Sequence, residues 1–118
     1  MVGAPIIDAC RTPRGFGKAS KGTLSDIHPQ QLGATVLRAL AQRTGNNTGD
    51  VDDIIWSTSV QIGPQSGDMS RMPALDAGYD VRASGVTLDR FCNSGITTVN
   101  MAALRGDGRL SRPWLTSH

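Results

Sequence analysis

Apolar and polar positions along the chain follow two alternating rhythms. Three short apolar runs have strand length: Ala4 to Ala9, Ile54 to Thr58 and Val86 to Leu88. Between and after them, apolar residues recur at helical spacing. Leu32, Val36 and Leu40 are four apart, with Leu37 and Ala41 beside them, which predicts one apolar stripe on a helix over 29–43. Pro29 suits its first turn, where a missing N–H costs nothing, and Gly45 suits its C-terminal end. A second helix is expected over 68–77, ended by Gly78, with Pro73 kinking or shortening it. A third is expected from Asn93 to Ala103. Strands alternating with helices imply right-handed crossovers and a parallel sheet with helices on its faces. The expected fold class is therefore α/β, a βαβαβα unit with a three-stranded parallel sheet. In such sheets function gathers at the carboxyl ends of strands.

One candidate residue falls at that place. Cys92 follows the run Val86–Leu88 through the turn Asp89-Arg90-Phe91 and precedes the third helix. A cysteine at a helix start faces free N–H groups and the positive end of the helix dipole. Such placement lowers a cysteine pKa by about one to several units and favours the nucleophilic thiolate. Strand, sharp turn, nucleophile and helix is also the logic of a nucleophile elbow, without that motif's serine signature.

Composition and charge narrow the field. The chain has 118 residues, 38% hydrophobic and 19% charged, the profile of one small globular domain. A formal net charge of +2 argues for neither nucleic acid nor a membrane surface as partner. No apolar run approaches the roughly 20 residues that cross a bilayer, and no secretory leader opens the chain. Two cysteines, Cys10 and Cys92, make no disulfide framework, so a reducing compartment and a cytoplasmic location are expected. Cys10 reads as a small buried apolar side chain. His28 reads as a surface or capping residue. Arg11 to Gly22 is rich in glycine and basic residues but matches neither phosphate-loop pattern, so it reads as a solvated loop. Asp50, Asp52 and Asp53 lack the spacing of a calcium loop, and no metal site is expected.

After Ala103 the pattern ends. Residues 104–118 show neither helical stripe nor alternation and hold three Arg against one Asp. The expected division is a folded unit over 1–103 and a divergent, disordered tail over 104–118.

With these pieces laid out, residues from about 4 to 103 resemble the N-terminal portion of a thiolase of the acetyl-CoA acetyltransferase type. The matching segments are Ile7-Asp8-Ala9-Cys10-Arg11-Thr12-Pro13, Leu32-Gly33-Ala34-Thr35, Asp50 to Trp56, Gln61-Ile62-Gly63 and Ala74 to Gly78. Above all there is Asp89-Arg90-Phe91-Cys92-Asn93-Ser94-Gly95. The resemblance implies an acyltransferase of fatty acid metabolism that works on coenzyme A thioesters, with no bound cofactor. Cys92 is then the nucleophile that takes the acyl group from acyl-CoA before Claisen condensation or thiolysis. Its backbone N–H becomes a candidate oxyanion donor. The resemblance also implies a homo-oligomer. The family's activating histidine and second cysteine belong to its later half. Neither His28 nor His118 sits in a matching motif, and Cys10 does not match the second cysteine. The expectation is an acyltransferase portion that is inactive alone; the alternative is a truncated, non-catalytic remnant or interaction module.

Overall fold

The computed structural model describes residues 3–18, 20–105 and 114–116. Helix α1 spans Pro29–Thr44, with Pro29 in its first turn. His28 caps it: the ring Nδ1 accepts the Gln30 N–H at 3.2 Å. Gly45 closes it in the left-handed conformation, φ 64°, and donates its N–H to the Ala41 carbonyl at 3.1 Å. Strand β1 spans Asp53–Thr58, α2 spans Arg71–Asp76, β2 spans Ser84–Asp89, α3 spans Ser94–Arg105 and β3 spans Trp114–Thr116.

The sheet order is β2-β1-β3, parallel throughout, with β1 in the centre. β1 and β2 pair over their whole length, from Asp53 opposite Ser84 to Thr58 opposite Asp89. β3 pairs only with the first half of β1, from Asp53 opposite Trp114 to Ile55 opposite Thr116.

The expected strand at 4–9 does not form. Those residues have no ladder, and Ile6 and Ile7 stay 81% and 69% exposed. The segment lies along α1 instead. Arg43 pairs with Asp8 at 2.8 Å and reaches the Ala9 carbonyl at 3.5 Å, while the Cys10 thiol donates to the Val36 carbonyl at 3.6 Å. A short apolar run names no partner, and the outer edge of β1 beside Asp53 to Ile55 is taken by β3. Only two of the three expected strands are therefore strands, and the α/β sheet is partial. The expected tail falls mostly outside the described residues; of it, Leu104 and Arg105 complete α3 and 114–116 form β3.

The core forms between α1, α2 and one face of β1. Leu37, Val51, Ile54, Ala74, Tyr79 and Ala83 make one buried cluster, flanked by Ala41 and Trp56. The buried line on α1 is Gly33, Ala34 and Leu37, one position round from the expected stripe of Leu32, Val36 and Leu40, which are half-buried. Gly33 decides this. A Cβ there would lie 2.9 Å from Trp56 Cη2 and 3.0 Å from Pro73 Cβ, so its absence lets α1 settle against β1 and α2. Pro73 is the third residue of α2, where its missing N–H is one of the unpaired donors of a first turn. The expected helix is shortened to six residues rather than kinked. Its entry is fixed by Asp68, whose Oδ1 accepts the N–H groups of Ser70 and Arg71 at 3.1 and 3.2 Å, the Ser70 hydroxyl, and the Thr87 hydroxyl at 3.0 Å. Burial pushes that carboxyl up, but these hydrogen bonds outweigh it and hold the pKa below its ordinary value.

Two measurements check this account. Gly33→Ala gains helix propensity but drives a methyl into a rigid ring and a proline, so a net loss of about 1–2 kcal/mol in urea unfolding is expected. A stabilised Gly33→Ala would show the contact to be looser. Tyr79 donates its hydroxyl to the Leu37 carbonyl at 2.8 Å. Burial, helped by negative charge on Cys10, pushes its pKa up to about 12. An acid held protonated in the fold supports stability fully below the unfolded value near pH 10 and loses that support as pH rises toward 12. The advantage of wild type over Tyr79→Phe, about 1 kcal/mol at neutral pH from the hydrogen bond, should therefore shrink above pH ~10. Parallel pH profiles would contradict it.

Candidate active site

Two connections bring the candidate residues together. The segment after β1 runs through α2, on the face that holds Ile54 and Trp56. The segment after β2 runs through α3 and returns to β3 on the far side of β1. Reversing direction in a sheet with right-handed crossovers sends the two helices to opposite faces. Ser57, which points opposite Trp56 along β1, accordingly lies beside α3. The chains leaving β1 and β2 thus diverge, and a crevice opens between their carboxyl ends. That is the switch point at which open α/β sheets bind ligands.

The crevice has a volume of about 560 Å³. Ser57, Thr58 and Ser59 form its wall on the β1 side, and Phe91, Cys92, Ile96, Val99 and Asn100 form the other. Cys92 is exposed there, in a tight helical turn over Phe91–Asn93 that runs directly into α3. The turn is held at three points. The Phe91 N–H donates to the Ser59 carbonyl at 3.1 Å, joining the two strand ends. The Ser94 hydroxyl donates back to the Phe91 carbonyl at 3.0 Å. Arg90 donates to the Thr97 hydroxyl at 3.2 Å, one turn into α3. Phe91 adopts φ 45°, a left-handed backbone unusual for a bulky residue, and its side chain is 72% exposed. The strain sits next to the candidate nucleophile and is supported by the Ser59 bond.

Thr58 adds a feature that the sequence did not single out. Its hydroxyl is shielded from solvent and has no hydrogen-bond partner among the described residues. It lines the same crevice. A shielded hydroxyl left unpaired is open to an ordered water or to a group that enters the crevice. Nothing in the run Ser57-Thr58-Ser59 marked the middle residue beforehand.

The other candidates lie elsewhere. His28 is occupied at the cap of α1, and Cys10 sits against the side of α1. His118 lies outside the described residues. Among the described residues, no histidine, aspartate or lysine lines the Cys92 crevice.

This fold has close counterparts. The solved structure of an acetyl-CoA acetyltransferase of Bacillus anthracis superposes with a TM-score of 0.64 at 30% identity, over 71% of this chain and 21% of that one. The family model described as "Thiolase, N-terminal domain" matches residues 4–105, and the chain belongs to that family. A steroid 3-ketoacyl-CoA thiolase of Mycobacterium tuberculosis is 41% identical over 103 residues, covering 87% of this chain and 25% of that protein. A 3-ketoacyl-CoA thiolase of Bacillus subtilis is 33% identical over 103 residues, covering 87% and 26%. A beta-ketoadipyl-CoA thiolase of Acinetobacter baylyi is 38% identical over 104 residues, covering 87% and 25%. The chain therefore spans about a quarter of the length of the curated relatives it matches. Among the described residues, no helix is long and apolar enough to cross a membrane.

The strained turn gives a test of local geometry. Phe91→Gly relieves the left-handed backbone, whereas Phe91→Val imposes a β-branched side chain on it. The valine variant should be less stable than the glycine variant by about 1–3 kcal/mol. Equal unfolding midpoints would mean that the turn relaxes to another conformation.

Proposed function

We propose that this chain carries the acyl-accepting half of a thiolase-type acyltransferase, with Cys92 as the nucleophile. The observation that carries the reading is the position of its thiol: exposed, at the start of α3, in the crevice at the switch point. In the proposed step Cys92 Sγ attacks the thioester carbonyl of an acyl-CoA. The sulfur–carbon bond to CoA breaks, CoA leaves as the thiol with the proton that Cys92 gives up, and the acyl group stays on Cys92. CoA, or the α-carbon of a second acyl-CoA, then takes the acyl group. The Cys92 backbone N–H at the head of α3 is the proposed oxyanion donor. The unpaired Thr58 hydroxyl on the opposite wall is suited to hold the incoming carbonyl or its water.

Among the described residues, no group that lines the crevice is placed to take the thiol proton. Thiolysis therefore requires a base from outside the described residues, and the 118 residues alone should show no turnover of acetoacetyl-CoA. A second reading, a polypeptide that keeps the fold without transferring acyl groups, draws on the exposure of Ile6, Ile7, Ile62 and Leu104. The outer edge of β2, unpaired among the described residues, favours self-association under either reading. The two free thiols favour a reducing compartment, and the cytoplasm fits that.

Incubation with acetyl-CoA followed by intact-mass measurement and peptide mapping separates the readings. The acyltransferase reading expects a gain of one acetyl group, mapped to Cys92 and absent in Cys92→Ser. Acetylation at Cys10 alone, or none at either thiol, would reject it.

A further inference from the structure

The hydrogen bonds around Cys92 close on one another. The Arg90 carbonyl accepts the Asn93 N–H at 3.1 Å, and the Phe91 carbonyl accepts both the N–H and the hydroxyl of Ser94. The Asn93 carbonyl accepts the Thr97 hydroxyl at 3.2 Å. That same hydroxyl accepts from the Arg90 guanidinium, Nη1 to Oγ1, at 3.2 Å. Arg90, Asn93 and Thr97 thus form a ring of three hydrogen bonds. Cys92 lies inside it, between Arg90 and Asn93 in the chain.

The bonds of this ring differ in reach. A threonine hydroxyl that donates to the carbonyl four residues back is common in helices. Here the same oxygen also takes a bond from a side chain that precedes the helix. A hydroxyl can donate and accept at once, and an apolar side chain of the same shape can do neither. The backbone and Ser94 bonds stay within the turn and set its shape. Two ties lead outward from it. The Phe91 N–H bonds the Ser59 carbonyl at the end of β1, and the Arg90 side chain bonds Thr97 in the second turn of α3. Those two elements supply the walls between which the Cys92 thiol is exposed. Phe91, at φ 45°, adopts a backbone that a bulky residue keeps only where it is held.

We propose that Arg90 and Thr97 are positioning residues for Cys92, a clamp that locks the turn against α3 and keeps the thiol aimed into the crevice. The inference rests on the nucleophile reading of Cys92 and adds to it two residues that act through the turn alone. Neither lines the crevice. The bond is charge-assisted on the arginine side, which favours it over a bond between neutral groups at the same distance. Attack on a thioester depends steeply on the direction from which the sulfur approaches, so a loosened turn costs rate rather than binding.

The test uses the full chain in three variants. Thr97→Val keeps the side-chain shape and loses the hydroxyl, Thr97→Ser keeps the hydroxyl, and Arg90→Met removes the guanidinium. Cysteine is isotope-labelled at Cβ and read by NMR, with the Cys92 signal assigned as the one that persists in Cys10→Ser. Wild type and Thr97→Ser should give one narrow Cys92 signal, and Thr97→Val and Arg90→Met should broaden or split it. Acylation by saturating acetyl-CoA should be about fivefold or more slower in those two variants, with half-saturation within about twofold of wild type, and Thr97→Ser should recover the rate. Arg90→Met/Thr97→Val should be little slower than Thr97→Val alone, because both substitutions break one bond. Circular dichroism checks folding, and Arg90→Met, at an exposed position, tests the same bond if Thr97→Val does not fold. An unchanged Cys92 signal in the variants overturns the clamp. A wild-type chain that is not acylated, but whose single Cys92 signal splits in Arg90→Met, keeps the clamp and rejects the nucleophile. Acylation of wild type that the variants match in rate does the reverse.

Discussion

The parallel ladder between β1 and β2, and the Phe91–Ser59 hydrogen bond that closes it, governs everything at the crevice. The ladder fixes Thr58 opposite Asp89, so both strands end at one level. The chain leaving β1 must turn to one face and the chain leaving β2 to the other. Only a short residue count separates Asp89 from the first turn of α3, and the Phe91 N–H spends its bond on the Ser59 carbonyl rather than on the helix. That one bond carries the chain from strand to helix without slack. A turn this tight leaves Phe91 little choice of backbone, which accounts for its left-handed φ. The exposure of Cys92 follows from the same constraint, because the next residue is thrown outward before Ser94 returns to the interior.

The second constraint is the close approach of α1 to the sheet. A helix that packs through Gly33 sits nearer to Trp56 than one that packs through leucine. The core is consequently small, with alanines at 74 and 83 and one large polar-tipped ring at Tyr79 that satisfies its hydroxyl on a helix carbonyl. The other face of β1 is more polar. Helix α3 turns Ser94 and Thr98 inward, and both satisfy their hydroxyls within the helix or its first turn. Small polar residues let α3 lie close to β1 while keeping its apolar residues Ile96 and Val99 for the crevice. The asymmetry leaves one face of β1 to stability and the other to the site.

How much of this was readable in advance depends on whether the signal was local. Helix α1 was legible within one residue at its C-terminal end, because Pro29 and Gly45 mark its ends through their own backbone preferences. Cys92 at a strand-to-helix junction was legible for the same reason. The stripe on α1 was misplaced by one position because hydrophobicity ranks leucine above glycine, whereas close packing rewards the smaller residue. The segment 4–9 has strand character, but a strand is defined by its neighbour, and Arg43 holds Asp8 and Ala9 on α1 while Val36 holds the Cys10 that follows. Trp114 to Thr116 lies in a stretch with no periodicity, so only the open edge of β1 reveals it as a strand. The shielded hydroxyl of Thr58 was equally invisible, since an unpaired hydroxyl is a property of surroundings.

The two walls of the crevice differ in kind. The α3 side is apolar, through Phe91, Ile96 and Val99, and the β1 side carries the hydroxyls of Ser57, Thr58 and Ser59. The polar wall comes from a strand end, where successive side chains point to opposite faces of the sheet. The apolar wall comes from a turn and a helix that the Phe91–Ser59 hydrogen bond ties to that strand end. One backbone bond therefore joins the two walls beside the thiol, and the divergence of the chains leaving β1 and β2 is what keeps them apart.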